Sequence, residues 1–343
     1  MGITFEINGI TIGEENPAVT IAEAAVEHLG SLNVAKRMAD VAKSIGADFI
    51  KYQLHLPEDE MIPNSIHFWG GSLDDVLAQY NLNISDHEAL MTYCEDIGIQ
   101  YLCTPFCSKA ADILDELGAV AFKIGSGEMT NIPMIRSIAK KGKPMIVSTG
   151  MATLDEIDAT VAVLVEEKTA FALMNCTSIY PAPYDKINLG FIPEMMNRYG
   201  VPVGHSDHTP DIWTSLGAVM KGAKIVEKHF TLKRDLKGPD FEVSLEPEAF
   251  GMMIDAIRKL EMATGAEKRI FDEEAVVRDW AHHSVVSLCP IKKGTVLTEE
   301  MVGVKRPGRG IPARHMHEFI GQVATRNIEM NELLAWEDIS RQG

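Results

Sequence analysis

Between residues 19 and 265 one pattern repeats: a short apolar run, a polar tip, then an amphipathic stretch closed by Gly or Lys-Gly. The runs begin near Val19, Phe49, Gln100, Ala121, Pro144, Phe171, Pro202 and Lys224. Between them apolar residues recur at helical spacing over Leu32 to Ile45, Asp86 to Ile97, Ala110 to Leu117, Ile132 to Lys141, Leu154 to Glu167, Leu189 to Tyr199 and Ile212 to Lys221, and Pro247 to Thr264 closes the last unit. Short buried runs alternating with helices read as parallel strands joined by crossovers. Eight such units in about 250 residues match the count that closes a (β/α)8 barrel. A doubly wound open sheet is the alternative, and the lack of a GxGxxG fingerprint after the first run weakens it.

Two connections are longer than usual, His55 to Asn83 and Leu232 to Glu246. Both leave carboxyl ends of strands, where barrel active sites lie and long loops shape or cover a pocket. Residues 266–283 read as a charged linker ending in Trp280-Ala-His-His283. A small module follows over 284–343, with a strand at Ser284 to Leu288, a turn at Lys292 to Gly294, a helix start at Thr298 to Met301, a basic glycine-rich loop at Val304 to Gly310, a helical piece at Arg314 to Ile320 and a last strand at Gln322 to Asn327. About sixty residues make only a thin core, so this module is expected to dock on something larger.

Charge narrows the partners. A formal charge of -17 without a basic stripe opposes binding to a nucleic-acid backbone. Any anionic substrate must then be met by a few local cations. No run of eighteen apolar residues occurs and the N-terminus lacks a basic region followed by an apolar one, so the expectation is a soluble, cytoplasmic protein. Five cysteines without a CxxC pair fit a reducing compartment, and Cys103 and Cys107 read as ordinary thiols.

If the barrel is right, function is written at the strand tips. These carry Glu23; Lys51 and Gln53; Thr104; Lys123, Ser126 and Glu128; Ser148 and Thr149; Thr177, Ser178 and Tyr180; Ser206 and His208; Glu227 and His229. His208 and His229 fall at neighbouring strand ends beside Asp207 and Glu227. Such a pair either holds a divalent metal with positions left for water or substrate, or hydrogen-bonds within polar loops. Lys51 and Gln53, two apart, share a strand face. An interior lysine is costly unless an anion meets it, so Lys51 and Lys123 with the surrounding hydroxyls form a phosphate or carboxylate cradle. The competing readings are ion pairs with Glu23 or Glu128, or a Schiff-base lysine, and a metal-binding pair makes the imine redundant. Glu23 and Glu128 are the carboxylates available for proton transfer.

The same residues carry a resemblance. Ala22-Glu23 with His28 and Gly30-Ser31, Lys51-Tyr-Gln53, Thr104-Pro-Phe106, Lys123 to Glu128, Ser148 to Met151, Cys176 to Pro181, Ser206 to Thr209, Glu227 to Thr231, Gly238-Pro-Asp240 and Lys305 to Gly308 together resemble the sialic acid synthase family, which includes the legionaminic and pseudaminic acid synthases. The resemblance runs in order from about residue 5 to 340. It implies a (β/α)8 TIM barrel followed by a C-terminal antifreeze-like (SAF) domain, and a metal-dependent condensation of phosphoenolpyruvate with an N-acylated hexosamine. By position, His208 and His229 would bind the metal, manganese first with magnesium or cobalt as alternatives. Lys51, Thr104, Lys123, Ser126, Ser178, Tyr180 and Ser206 would hold phosphoenolpyruvate, and Gln53, Asp240 and Arg306 the sugar. The resemblance also implies a domain-swapped homodimer in which Arg306 acts on the partner's barrel. Two departures stand out: Glu27-His28-Leu29 replaces the family's Asn-His-Asn, and Ser178 replaces a frequent Asn. A barrel that only binds a sugar is the non-catalytic alternative, opposed by the joint presence of Glu23, Lys51, Lys123, His208 and His229. Apolar Ile66, Phe68 and Trp69 in the first long loop suit either a 6-deoxy acceptor or packing beneath a lid.

Overall fold

The structure, a computed structural model, describes residues 4–68 and 71–340 and divides into two compact units, Met1–Gly265 and Ala266–Gly343. In the first unit eight parallel strands form a ring: β1 (Val19–Ala25), β2 (Phe49–Leu54), β3 (Gln100–Pro105), β4 (Phe122–Ile124), β5 (Met145–Ser148), β6 (Phe171–Cys176), β7 (Val203–Asp207) and β8 (Ile225–His229). Hydrogen bonding runs β3-β2-β1-β8-β7-β6-β5-β4, and β3 packs beside β4 to complete the circuit. The eight outer helices are α1 (Leu32–Ser44), α2 (Ile84–Ile97), α3 (Ser108–Glu116), α4 (Ile132–Ala139), α5 (Leu154–Glu166), α6 (Phe191–Tyr199), α7 (Trp213–Met220) and α8 (Pro247–Ala263). Each strand and helix predicted from the repeat is present, with ends shifted by at most two residues.

Alternation along each strand explains how the site is positioned. Successive side chains face opposite sides of a strand, so residues two apart share the barrel interior. Ile21 precedes Glu23, Phe49 precedes Lys51, Leu102 precedes Thr104, Ala121 precedes Lys123, Ile146 precedes Ser148 and Ile225 precedes Glu227. The first member of each pair belongs to one buried apolar cluster, and the second is polar. The interior therefore grades from an apolar floor to a polar top. The alternate positions, such as Ile50, Tyr52, Phe122, Val147, Leu173 and Val226, pack under the helices in a separate, larger core. Gly204 takes an interior place because a Cβ there would lie 2.4 Å from Met174 Sδ and 2.7 Å from Ile225.

An antiparallel hairpin, Phe5–Ile7 with Ile10–Ile12, precedes the barrel. The sequence repeat did not reveal it. Phe5, Ile7 and Ile12 join the interior floor cluster with Val19, Phe49 and Ala121, so the hairpin covers the amino-terminal end of the ring. The His55 to Asn83 connection holds two short helices, Pro57–Glu60 and Leu73–Tyr80, and a small hairpin, His67–Phe68 with Gly71–Ser72. Ile66 there is exposed; the Phe68 side chain and Trp69 lie outside what is described.

In the second unit, the stretch expected to be a linker contains a ten-residue helix, Asp272–Ala281. Ser284–Ser287 pairs with Val302–Lys305, and Val323–Ala324 with Ile339–Ser340. The final two-residue strand was not foreseen, and Thr298 to Met301 is turn rather than the start of a helix. Val285, Ile291, Leu297, Val302, Phe319, Ala324, Ile328, Leu334 and Ile339 form its small core. All five cysteines are free. Among the described residues no helix is long and apolar enough to cross a membrane.

Candidate active site

The polar top of the barrel opens into a cavity of about 860 Å³. Its lining includes Glu23, Lys51, Gln53, Thr104, Lys123, Ser126, Glu128, Ser178, Tyr180, Ser206, His208, His229 and Asp240. Every residue to which the resemblance assigns a metal or substrate role is thus gathered there except Arg306, whereas Thr149 and Thr177, also at strand tips, line a separate pocket. Arg306 belongs to the second unit, where its Nε donates to Ala281 O at 3.1 Å and its guanidinium lies over the Trp280 ring.

Charge at the base of the cavity is shared among two lysines and two carboxylates. Lys51 is ion-paired with Glu23, donates to Thr104 Oγ1 at 3.0 Å and lies 3.8 Å from Glu227 Oε1. Lys123 donates to Ser148 Oγ at 2.7 Å and to Ile124 O at 3.0 Å, and its nearest carboxylate is also Glu227, at 3.8 Å. The lysine partners are therefore Glu23 and Glu227. Glu128, expected as a possible partner, folds back over Gly125, where a Cβ would lie 2.3 Å from its carboxylate.

Glu227 Oε1 accepts from Ser206 Oγ at 3.2 Å, and Oε2 is buried without a partner. Burial pushes Glu23 up despite Lys51, whereas Lys123 and Lys51 hold Glu227 down against the same burial. Burial likewise lowers Lys123 and raises Glu128 to about 7. Two ammonium groups meet two carboxylates, and because burial pushes Glu23 up to about 7, its protonation leaves one positive charge for an anion to neutralise.

His208 and His229 sit on neighbouring tips with ring centroids 5.3 Å apart. Tyr180 stacks on His208 and meets His229 edge-on. His208 Nδ1 lies 2.8 Å from Thr177 O, which fixes that nitrogen as the donor and turns Nε2 toward the cavity. Burial and the neighbouring His208 keep His229 well below the usual imidazole range, so its ring is neutral. His229 Nδ1 is buried with no hydrogen-bond partner, and Asp240 Oδ2 is 3.7 Å away. A neutral, orphaned imidazole facing a second one fits a divalent metal. Among the described residues no group of three or more His, Cys, Asp or Glu side chains gathers as a metal site. The fit is therefore to two protein nitrogens, with water or substrate as further ligands.

Asp207 was expected to support this pair and does not. It is one residue from His208, so it faces the other side of β7. There it accepts from Thr209 N, Thr214 Oγ1 and Ser215 Oγ at 2.6–2.8 Å and pairs with Lys228 at 3.3 Å. Glu27, the first departure from the family pattern, also stays out of the cavity lining. It is buried behind the β8–α8 loop, where Oε1 accepts from Asp240 N at 2.8 Å.

Glu227 was placed at its strand tip from the sequence but given no role of its own, and the lining also holds His55 and Glu60, which were not singled out. Parity puts Glu227, two before His229 on one strand, on the interior face. His55 is likewise two beyond Gln53, but it leaves the strand for the loop, where parity lapses.

Fold and cavity together define a (β/α)8 barrel protein with two lysines and two histidines at the carboxyl end of its strands. Comparison with known proteins agrees. The NeuB family model matches residues 38–269 and the SAF domain model residues 283–340. The chain belongs to the NeuB family. It is 37% identical to the N,N'-diacetyllegionaminic acid synthase of Campylobacter jejuni, over 92% of this chain and 98% of that protein. Human N-acetylneuraminate-9-phosphate synthase is 31% identical over 98% of this chain and 96% of its own length. Among solved structures, the N-acetylneuraminic acid synthetase of Leptospira borgpetersenii superposes with a TM-score of 0.73 at 30% identity, covering 81% of this chain and 95% of that one.

Proposed function

We propose that this chain is a nonulosonic acid synthase, condensing phosphoenolpyruvate with N-acetylmannosamine or a related N-acyl hexosamine and releasing phosphate. The observation that carries this reading is the joint presence, in one cavity, of two buried lysines and two facing imidazoles. The names of the relatives support it. A second reading, with a 6-deoxy diacetamido hexose as acceptor, is favoured by the 37% identity to a diacetyllegionaminic acid synthase.

In this reading Lys51 and Lys123, with Thr104, Ser126, Ser178, Tyr180 and Ser206, hold the phosphate and carboxylate of phosphoenolpyruvate. Gln53 and Asp240 hold the sugar. A divalent metal held by His208 and His229, manganese first, would supply Lewis-acid polarisation of the open-chain aldehyde. C3 of phosphoenolpyruvate forms the new bond to that aldehyde carbon, and cationic character develops at C2, which Glu23 and Glu227 stabilise. Water adds to C2 as Glu23 or Glu128 takes its proton, and a proton is delivered to the former aldehyde oxygen, which becomes a hydroxyl. The adduct then collapses to the 2-keto acid: the C–O bond to phosphate breaks and the C2 hydroxyl proton leaves with the phosphate. We further propose a domain-swapped homodimer in which Arg306 serves the partner's cavity; regained activity in mixtures of Arg306→Ala and His229→Ala chains is its test.

The deciding experiment is phosphate release from phosphoenolpyruvate with manganese and a panel of N-acyl hexosamines. Release with one sugar, abolished by chelator and by His229→Ala in a folded protein, is expected. No release with any sugar from metal-loaded dimer would reject the reading.

A further inference from the structure

A line of hydrogen bonds enters the cavity from the first turn of the β2–α2 connection. Glu60 Oε2 and Oε1 lie 3.0 and 3.1 Å from His55 Nδ1, and His55 Nε2 lies 3.1 Å from Gln53 Oε1. Gln53 Nε2 in turn donates to Glu23 Oε1 at 3.1 Å, and Glu23 is paired with Lys51.

Chemistry fixes the directions around Gln53. The Glu23 carboxylate accepts, so Gln53 turns its amide N–H toward it and its carbonyl toward His55. His55 Nε2 therefore donates. Nδ1 faces both oxygens of Glu60. The ring has little other freedom: it is 5% exposed and stacks on Phe106 with centroids 3.9 Å apart.

We infer that His55, clamped between Glu60 and Phe106, is a positioning residue that anchors the carbonyl of Gln53, as Glu23 anchors its N–H, and so holds in place the amide the cavity presents to the acceptor sugar. This rests on the function proposed above, in which Gln53 touches the sugar. Without the His55 N–H, the Gln53 carbonyl loses its donor and the amide, held by Glu23 alone, is free to swing about that single hydrogen bond. Sugar recognition suffers, while the lysine cradle, which His55 does not touch, keeps its geometry.

The test compares His55→Phe, Gln53→Ala, the double variant and Glu60→Gln, each first shown to be folded by circular dichroism. Phenylalanine keeps the stack on Phe106 and removes both ring nitrogens. His55→Phe is expected to raise the KM for the sugar about tenfold, the worth of one buried hydrogen bond, and to leave the KM for phosphoenolpyruvate within about twofold. The double variant is expected to be no worse than Gln53→Ala, because His55 acts through Gln53. Glu60→Gln shifts the sugar KM in the same direction by less. An unchanged sugar KM in His55→Phe, or losses that multiply in the double variant, would overturn the inference.

A wild type that releases no phosphate with any hexosamine rejects the functional reading instead. The relay is then judged by nitrogen NMR of ring-labelled protein, with His55 assigned by its loss in His55→Phe. A proton on Nε2 whose hydrogen bond is lost in Gln53→Ala supports it. A ring without a proton on Nε2, or an Nε2 resonance unmoved by Gln53→Ala, overturns it.

Discussion

Two buried ion clusters lie back to back at the tips of β7 and β8, and they differ in how completely they are satisfied. On the helix side, Asp207 accepts hydrogen bonds from Thr209, Thr214 and Ser215 and pairs with a fully buried Lys228. On the cavity side, one residue away on the same strand, Glu227 stands 3.8 Å from two lysines and keeps one oxygen without a partner. Sequence neighbours therefore serve opposite ends. Saturated charge fixes structure, since every partner is already present; unsaturated charge beside a cavity is held ready for a ligand. Burial alone does not separate the two clusters, whereas the count of unmet hydrogen bonds does.

The largest expected effect breaks the saturated cluster. Asp207→Asn leaves Lys228 buried without its counter-ion, and urea denaturation should show a loss of about 3–5 kcal/mol. Next, Glu227→Gln should cost only about 1–2 kcal/mol, because Lys51 keeps Glu23 and Lys123 keeps Ser148 beside an open cavity. Its turnover should fall on the order of 10²-fold, through lost stabilisation of charge at C2. Equal stability losses in the two variants would erase the distinction drawn here.

The smallest effect is one of pH. Burial raises Glu128 from 4.5 to about 7, so the folded protein holds a proton there that the unfolded chain has released. Its contribution is full below pH 4.5 and is lost as pH rises through about 7. The full shift corresponds to about 3 kcal/mol, and because the side chain is only half-buried Glu128→Gln should flatten this part of the stability profile by roughly 1–2 kcal/mol, as read by denaturation at several pH values. An unaltered slope would place the carboxyl in contact with water.

Much of this was legible beforehand. The barrel was, because each strand is short, apolar and followed by a capped helix, so that period and punctuation agree. The site was, because barrel geometry sends the polar tips to one end. Asp207 was misread for want of parity: adjacent residues on a strand cannot share a face. Glu227 was placed at its strand tip but not as the partner of Lys51 and Lys123, which residue type and parity alone do not specify. The opening hairpin was missed although Phe5 to Ile12 alternates around Asn8-Gly9, a strong hairpin signal. The second unit was read only in outline because two-residue strands carry no period to detect.

The hairpin at Phe5–Ile12 has a consequence for traffic. It corks the amino-terminal end of the ring with Phe5, Ile7 and Ile12 set into the apolar floor, so the barrel is a cup and not a tube. Whatever reaches Lys51 and Lys123 arrives and departs by the rim that carries His208, His229 and Tyr180. In the proposed reaction substrates and products share one doorway, and anything that spans that rim halts them all at once.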